Sequence, residues 1–230
     1  MLFRVSIASL AAAAAALLGS APAAKAQPAY SWNGIYIGLD AGYANGSGSW
    51  VFTSTNLATL DTPKLDGWLL GGSIGAQHQF GQWVLGIDGS WEGGNSLKGS
   101  ATCPGPTFTC ELTVISVATL DAKLGYASGR WLAYVDGGWA GGKIDGRTYT
   151  TATGVVESSG SGWHNGWNAG VGVDYALTDS VLLGLQYDHV DLGRSDDTLD
   201  KVAGGTFVID MHPQFDEVKA RLTWKLNTGN

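Results

Sequence analysis

The 230-residue chain carries 13 basic and 20 acidic side chains, for a formal charge of −7, with 35 glycines, 10 tryptophans and only 6 prolines. That acidity makes nucleic acid a poor partner, and the glycine and tryptophan content fits many short-turned strands better than disorder. No continuous apolar run is long enough for a spanning helix, a fact silent about spanning strands.

The N-terminus reads as an export signal. Arg4 supplies a positive start, Val5 to Leu18 an apolar run, and Ala24-Lys25-Ala26 a small-residue cleavage site. The expected mature chain is 27–230, cut after Ala26, as one large all-β domain. Losing Arg4 and Lys25 leaves 11 bases against 20 acids, a charge of −9.

Strict alternation then marks strand after strand. From Gly34 to Ala44, Ile35, Ile37, Leu39, Ala41 and Tyr43 oppose Gly38, Asp40 and Gly42. A long loop is expected over 45–64. From Leu65 to Gln79, Trp68, Leu70, Ile74 and Ala76 oppose Gly71, Ser73, Gly75 and Gln77; Phe80-Gly81 turns tightly. From Gln82 to Glu92, Trp83, Leu85, Ile87 and Trp91 oppose Gly86, Asp88 and Ser90, with a second long loop over 93–110.

The clearest pattern is a hairpin from Leu112 to Lys143, turning at Ala127-Ser128-Gly129-Arg130. One parity carries Leu112, Val114, Ala118, Leu120, Ala122, Leu124 and Tyr126; the other carries Thr113, Thr119, Asp121, Lys123 and Gly125. The returning strand sets Trp131, Ala133, Val135, Gly137 and Trp139 against Asp136 and Gly138. A third long loop, low in complexity, is expected over 144–162. From Trp163 to Ala176, Trp167, Ala169, Val171, Val173 and Tyr175 oppose Asn168, Gly170, Gly172 and Asp174. A seventh strand covers Val181 to Asp191, followed by a loop to about Gly205. The eighth sets Val218, Ala220, Leu222, Trp224 and Leu226 against Lys219, Arg221, Thr223 and Lys225.

Aromatic spacing assigns the faces. Trp83 and Trp91, Trp131 and Trp139, and Trp167 and Tyr175 each stand eight residues apart. Eight residues span about 27 Å of strand, or roughly 20 Å of height at a tilt of about 40°, close to an apolar band between two aromatic girdles. Tyr126 and Trp224 share the girdle parity. Eight strands with alternating long and short connections give an eight-stranded antiparallel transmembrane β-barrel with long extracellular loops and short periplasmic turns. A soluble barrel would turn its apolar face inward. Here the polar face is rich in glycine (Gly38, Gly71, Gly75, Gly86, Gly170, Gly172), which suits a narrow lumen. Asp40, Asp88, Asp121, Lys123, Asp136, Asp174, Lys219 and Arg221 then face that lumen, either as a charged solute path or as a paired plug. The plug is the expectation, because side chains fill a barrel this narrow.

Trp32-Asn33-Gly34-Ile35-Tyr36-Ile37-Gly38, Leu124-Gly125-Tyr126, Trp131-Leu132-Ala133-Tyr134 and Val190-Asp191-Leu192-Gly193 resemble, in order, landmarks of the small outer-membrane β-barrel domain family, the "porin family" surface antigens of rhizobia and related bacteria. The resemblance spans essentially the whole mature chain. It implies an integral protein of the cell outer membrane, in contact with outer-membrane lipids and lipopolysaccharide and inserted by the barrel-assembly machinery. The end departs from the pattern: Leu226 and the tail Asn227 to Asn230 stand where the family has a terminal aromatic, with Trp224 the nearest substitute.

Cys103 and Cys110 share one loop of an exported chain and read as a disulfide. Gly71-Gly72-Ser73-Ile74-Gly75 matches G-x-S-x-G, yet it sits inside an alternating strand without the helix that would expose its serine. His78, His164, His189 and His212 show no ligand spacing and read as solvated side chains. Some relatives are associated with haem, which makes His164 or His212 beside loop aromatics a conceivable site. Asp196, Asp197 and Asp200 read as a hydrated anionic surface. No enzyme, metal or cofactor is expected. The expected role is structural or surface-interacting, with a narrow porin as the alternative and a haem- or ligand-binding surface protein or a lipid enzyme behind it. The partner of the extracellular segments is left open.

Overall fold

The alternation closes into a barrel in the computed structural model, which describes residues 30–226 apart from Pro106 and the side chains of Asn95 and Ser96. The expected signal peptide, its cleavage site and the tail after Leu226 lie outside the described residues. The strands are β1 (Gly34–Phe52), β2 (Leu57–Ala58), β3 (Lys64–Phe80), β4 (Trp83–Thr102), β5 (Phe108–Ser128), β6 (Trp131–Thr150), β7 (Val156–Ala176), β8 (Val181–Asp191), β9 (Ser195–Lys201) and β10 (Thr206–Leu226). β2 is a two-residue addition to β1, and β9 continues the line of β8, so the wall has eight positions, all antiparallel. β1 pairs with both β3 and β10, which removes the open edge that lipid could not satisfy.

Registers fix the tilt. Pair by pair from Ile37, the ladder runs through Ile74, Gly89, Leu120, Trp139, Trp167, Asp191 and Gln214 and returns to β1 at Ser47, ten residues on. Eight positions with that stagger require a strand tilt of about 40°.

The strands outrun the expected lengths. Most of the three stretches read as long loops are ladder, leaving connections at 53–63, 103–107 and 151–155. The expected loop before β10 also contains β9, and its turn is 202–205. On the other rim the turns are 81–82, 129–130 and 177–180. The reason lies in the interior. Below, strands turn charge inward; above, they turn apolar side chains inward. β10 shows the change along one face, with Thr223, Arg221, Lys219 and Glu217 giving way to Phe215, Met211 and Ile209, all buried. β5 makes the same change by a different device. An irregularity between Val114 and Ser116 inserts a residue and swaps the faces. Leu112 and Val114 are therefore buried inside the barrel, whereas Leu120 and Leu124 of the same sequence parity face outward.

Candidate functional site

Three tiers fill the lumen. At the turn-bearing mouth, Tyr30 and Trp32 tuck under the barrel against Val84, Leu132 and Leu182. The Trp32 amide donates to Gln79 Oε1 (2.9 Å), and Lys225 Nζ donates to the Ser31 carbonyl (2.5 Å). Burial, with the Asp179 carboxylate behind it, pushes the Tyr30 phenol up to about 12, so the phenol keeps its proton.

The middle tier is charged and centred on Arg221. Its Nε donates to Asp40 Oδ1 (3.1 Å), Nη1 to Gln186 Oε1 (2.8 Å), and Nη2 to both oxygens of Asp88 (2.9 and 3.1 Å). One guanidinium thus ties β10 to β1, β4 and β8 in the forked geometry that suits arginine. Gln186 extends the web through its amide to Asp136 Oδ2 (2.7 Å) and Asp188 Oδ1 (2.9 Å). Lys219 bridges Glu92 (2.8 Å) and Asp188 (3.1 Å). Tyr36 donates to Asp88 (2.7 Å), and Tyr134 to Gln186 (3.0 Å). Both rings lie over glycines, Gly75 and Gly172, where any Cβ would collide with them.

Of the eight lumen residues read from sequence, Asp40, Asp88, Asp121, Lys123, Asp136, Lys219 and Arg221 are buried inside, and Asp174 is half-buried near the lower mouth. The structure gathers Asp40, Asp88, Asp136, Lys219 and Arg221 into the web. Among the described residues Lys123 makes no salt bridge; its Nζ sits over the Tyr134 ring (4.2 Å) and reaches Tyr36 Oη at 3.3 Å. Beside Lys123 and Arg221 the gap is about 10 Å³, room for about one water. Glu92, Gln186, Asp188, Glu217, Tyr36 and Tyr134 escaped the sequence reading, although Glu92 and Glu217 share inward parity with Asp88 and Lys219.

The upper tier is mostly apolar. Trp50, Leu65, Leu97, Leu112, Ile144 and Met211 belong to one buried cluster with Phe215 at its base. Within it His164 Nε2 meets Asp197 Oδ2 at 2.7 Å, both side chains almost wholly buried. This corrects two expectations. His164 is not a solvated loop residue, and its buried, engaged Nε2 offers nothing to haem iron. Asp197 likewise leaves the hydrated surface that Asp196 and Asp200 keep, because β9 turns it inward. His212 is also held, Nε2 to Asp191 Oδ1 at 2.7 Å. Ser73 is buried within β3, far from the exposed elbow a nucleophile would need.

The aromatics of the two girdles stand outside. Trp83, Tyr126, Trp131 and Trp224 are exposed toward the lower rim with Tyr175 partly so, and Trp91, Trp139 and Trp167 toward the upper. Trp131 packs on Tyr175 at 4.6 Å between centroids, and Trp83 on Tyr126 at 5.5 Å.

Cys103 and Cys110 form a buried disulfide that closes the 103–107 connection beside the upper cluster. A closed loop of this length is worth about 2.5 kcal/mol in the chain-entropy model. Reduction is expected to lower unfolding stability by about that much, measured by denaturant titration with and without reductant. No difference would mean that the flanking ladder holds the loop unaided.

A family model described as "Outer membrane protein beta-barrel domain" matches residues 11–221. The 31 kDa outer-membrane immunogenic protein of Brucella melitensis biotype 1 is 32% identical over 191 residues, covering 76% of this chain and 77% of that protein. The 25 kDa outer-membrane immunogenic protein of Brucella ovis is 28% identical over 173 residues, with 75% and 76% covered. Among solved structures, outer membrane protein OprG from Pseudomonas aeruginosa aligns over 84% of this chain and 97% of its own at 11% identity, with a TM-score of 0.47. That likeness is too distant to carry an argument, and the fold rests on the pairings above.

Proposed function

The chain belongs to the outer-membrane-protein β-barrel domain family, and from that premise we propose that this outer-membrane protein is a closed barrel with a structural and surface-interaction role, not a passage. The supporting observation is the buried apolar upper core stacked on the salt-bridged tier. A solute would have to displace both, and neither yields cheaply: the core is packed, and unpairing a buried ion costs several kcal/mol. Outer-membrane lipids surround the apolar band, lipopolysaccharide meets the extracellular rim, and the barrel-assembly machinery inserts the chain. No catalytic reaction is assigned to it. The ladder above the membrane gives the 53–63, 103–107 and 151–155 connections a rigid base for contact with other molecules.

Liposome swelling tests this reading. Vesicles carrying the refolded protein are expected to take up sugars no faster than protein-free vesicles. Rapid sugar entry would overturn the closed barrel and favour a narrow porin.

A further inference from the structure

In one sector of the outer wall a polar pair stands where the flanking strands carry aromatics. β3, β4, β6 and β7 present Trp68, Trp91, Trp139 and Trp167 outward toward the upper rim, and β1 presents Tyr43. β8 and β10 instead present His189 and Asp216, directly opposite each other in the ladder. At about 2.5 Å of height per residue and about 3 Å per ladder step, this pair lies within about 3 Å of the level of Trp167 and Tyr43. Both side chains are well exposed, 41% and 42%.

The pair is held ready. His189 Nδ1 lies 2.8 Å from Asp216 Oδ1, and the Tyr187 hydroxyl donates to the same oxygen at 2.9 Å. Among the described residues, no hydrogen bond engages Asp216 Oδ2 or His189 Nε2. With Nδ1–H donating to the carboxylate, both outer atoms are acceptors. Trp167, half exposed, stands 5.5 Å from the His189 ring, and His189's register neighbour on β7 is the small, exposed Ala169. Among the described residues no lysine or arginine pairs with Asp216, so a phosphate would meet a carboxylate with no fixed cation beside it. A ring with neighbouring hydroxyls fits better. It donates to Asp216 and His189 and lays its C–H face on the indole.

We propose that His189, Asp216 and Trp167 form a site for the uncharged sugar headgroup of an outer-leaflet glycolipid. Height supplies the argument for a membrane-borne sugar: acyl chains anchored beside β7 and β8 place a headgroup at this level, where a free sugar must compete from solution. The inference rests on the membrane placement and not on lumen closure, so it and the swelling assay fail independently.

The test uses the refolded full barrel in phospholipid nanodiscs, labelled to report the histidine and tryptophan side chains by NMR. Dodecyl maltoside serves as the sugar-headed amphiphile, with maltose and dodecylphosphocholine in parallel titrations. Saturable shifts of His189 and Trp167 are expected with dodecyl maltoside alone. Asp216→Ala and Trp167→Ala should each weaken that response at least tenfold, while Trp139→Ala, on the neighbouring strand, leaves it unchanged. Resistance of each variant to unfolding by detergent before heating verifies an intact barrel. Equal responses to dodecylphosphocholine, a response to maltose as strong as to dodecyl maltoside, or a Trp139→Ala loss matching that of Trp167→Ala would overturn the site.

Discussion

Arg221→Met is expected to cost about 3–5 kcal/mol of unfolding stability in lipid vesicles, the range for removing one partner from a buried charge cluster. The size follows from what stays behind. Asp40 and Asp88 would remain inside the barrel without the guanidinium that bonds them, and Gln186 Oε1 would keep only the Tyr134 hydroxyl as donor. Arg221→Lys should recover only part of the loss, because an ammonium cannot fork to Asp88 while reaching Asp40 and Gln186. Denaturant titrations of the three proteins decide the matter. A loss below about 1 kcal/mol for Arg221→Met would show that the acids find other compensation. The web need not be the most stable filling: an apolar lumen of equal volume can match or exceed a buried ion cluster. What it supplies, by joining four strands through one side chain, is a preference for a single register.

That web was half legible in the chain. Arg221, Lys219, Asp88 and Asp40 interrupt apolar alternation at mid-strand, where a lipid-facing charge would be costly, so once the aromatic spacing assigns the faces their parity sends them inward. Gln186 and Asp188 were lost because β8 carries Leu182 and Val190 on the same inner face, which blurs its polarity. The extracellular half was misread for a deeper reason. Once a strand leaves the bilayer, water replaces lipid outside and the pattern inverts, so Ser, Thr and Gly outside with an apolar residue every second position inside resemble a loop. Leu97 to Thr102 shows this, with Leu97 and Ala101 buried and Lys98 and Ser100 exposed. The shift at Val114–Ser116 compounds the error, because continuous sequence parity conceals a change of face. The three His–Asp contacts had no local signal at all; each joins residues more than twenty positions apart on different strands.

Trp50→Ala should cost about 3–5 kcal/mol, as in a water-soluble core, although the residue belongs to a membrane protein. Trp50 is 1% exposed, lies 6.4 Å from the Phe52 ring between centroids, and belongs to the cluster inside the extracellular half. Outside the bilayer the hydrophobic effect acts in full, and the ladder on either side limits collapse around the void. Trp91→Ala provides the contrast. That side chain is 61% exposed on the outer wall, so its loss opens no cavity and lipid or solvent fills the place. Unfolding in vesicles should therefore separate the two by at least about 2 kcal/mol, and extracellular protease should cut the Trp50→Ala protein faster. Similar losses for both would mean that the upper tier is not a packed core. Sugar uptake by Trp50→Ala vesicles should stay at the protein-free rate, since the Arg221 web still blocks the lumen beneath. Arg221→Met should be closed as well, with the apolar core intact above it. If both tiers close the barrel, only the double variant has a route to leakage.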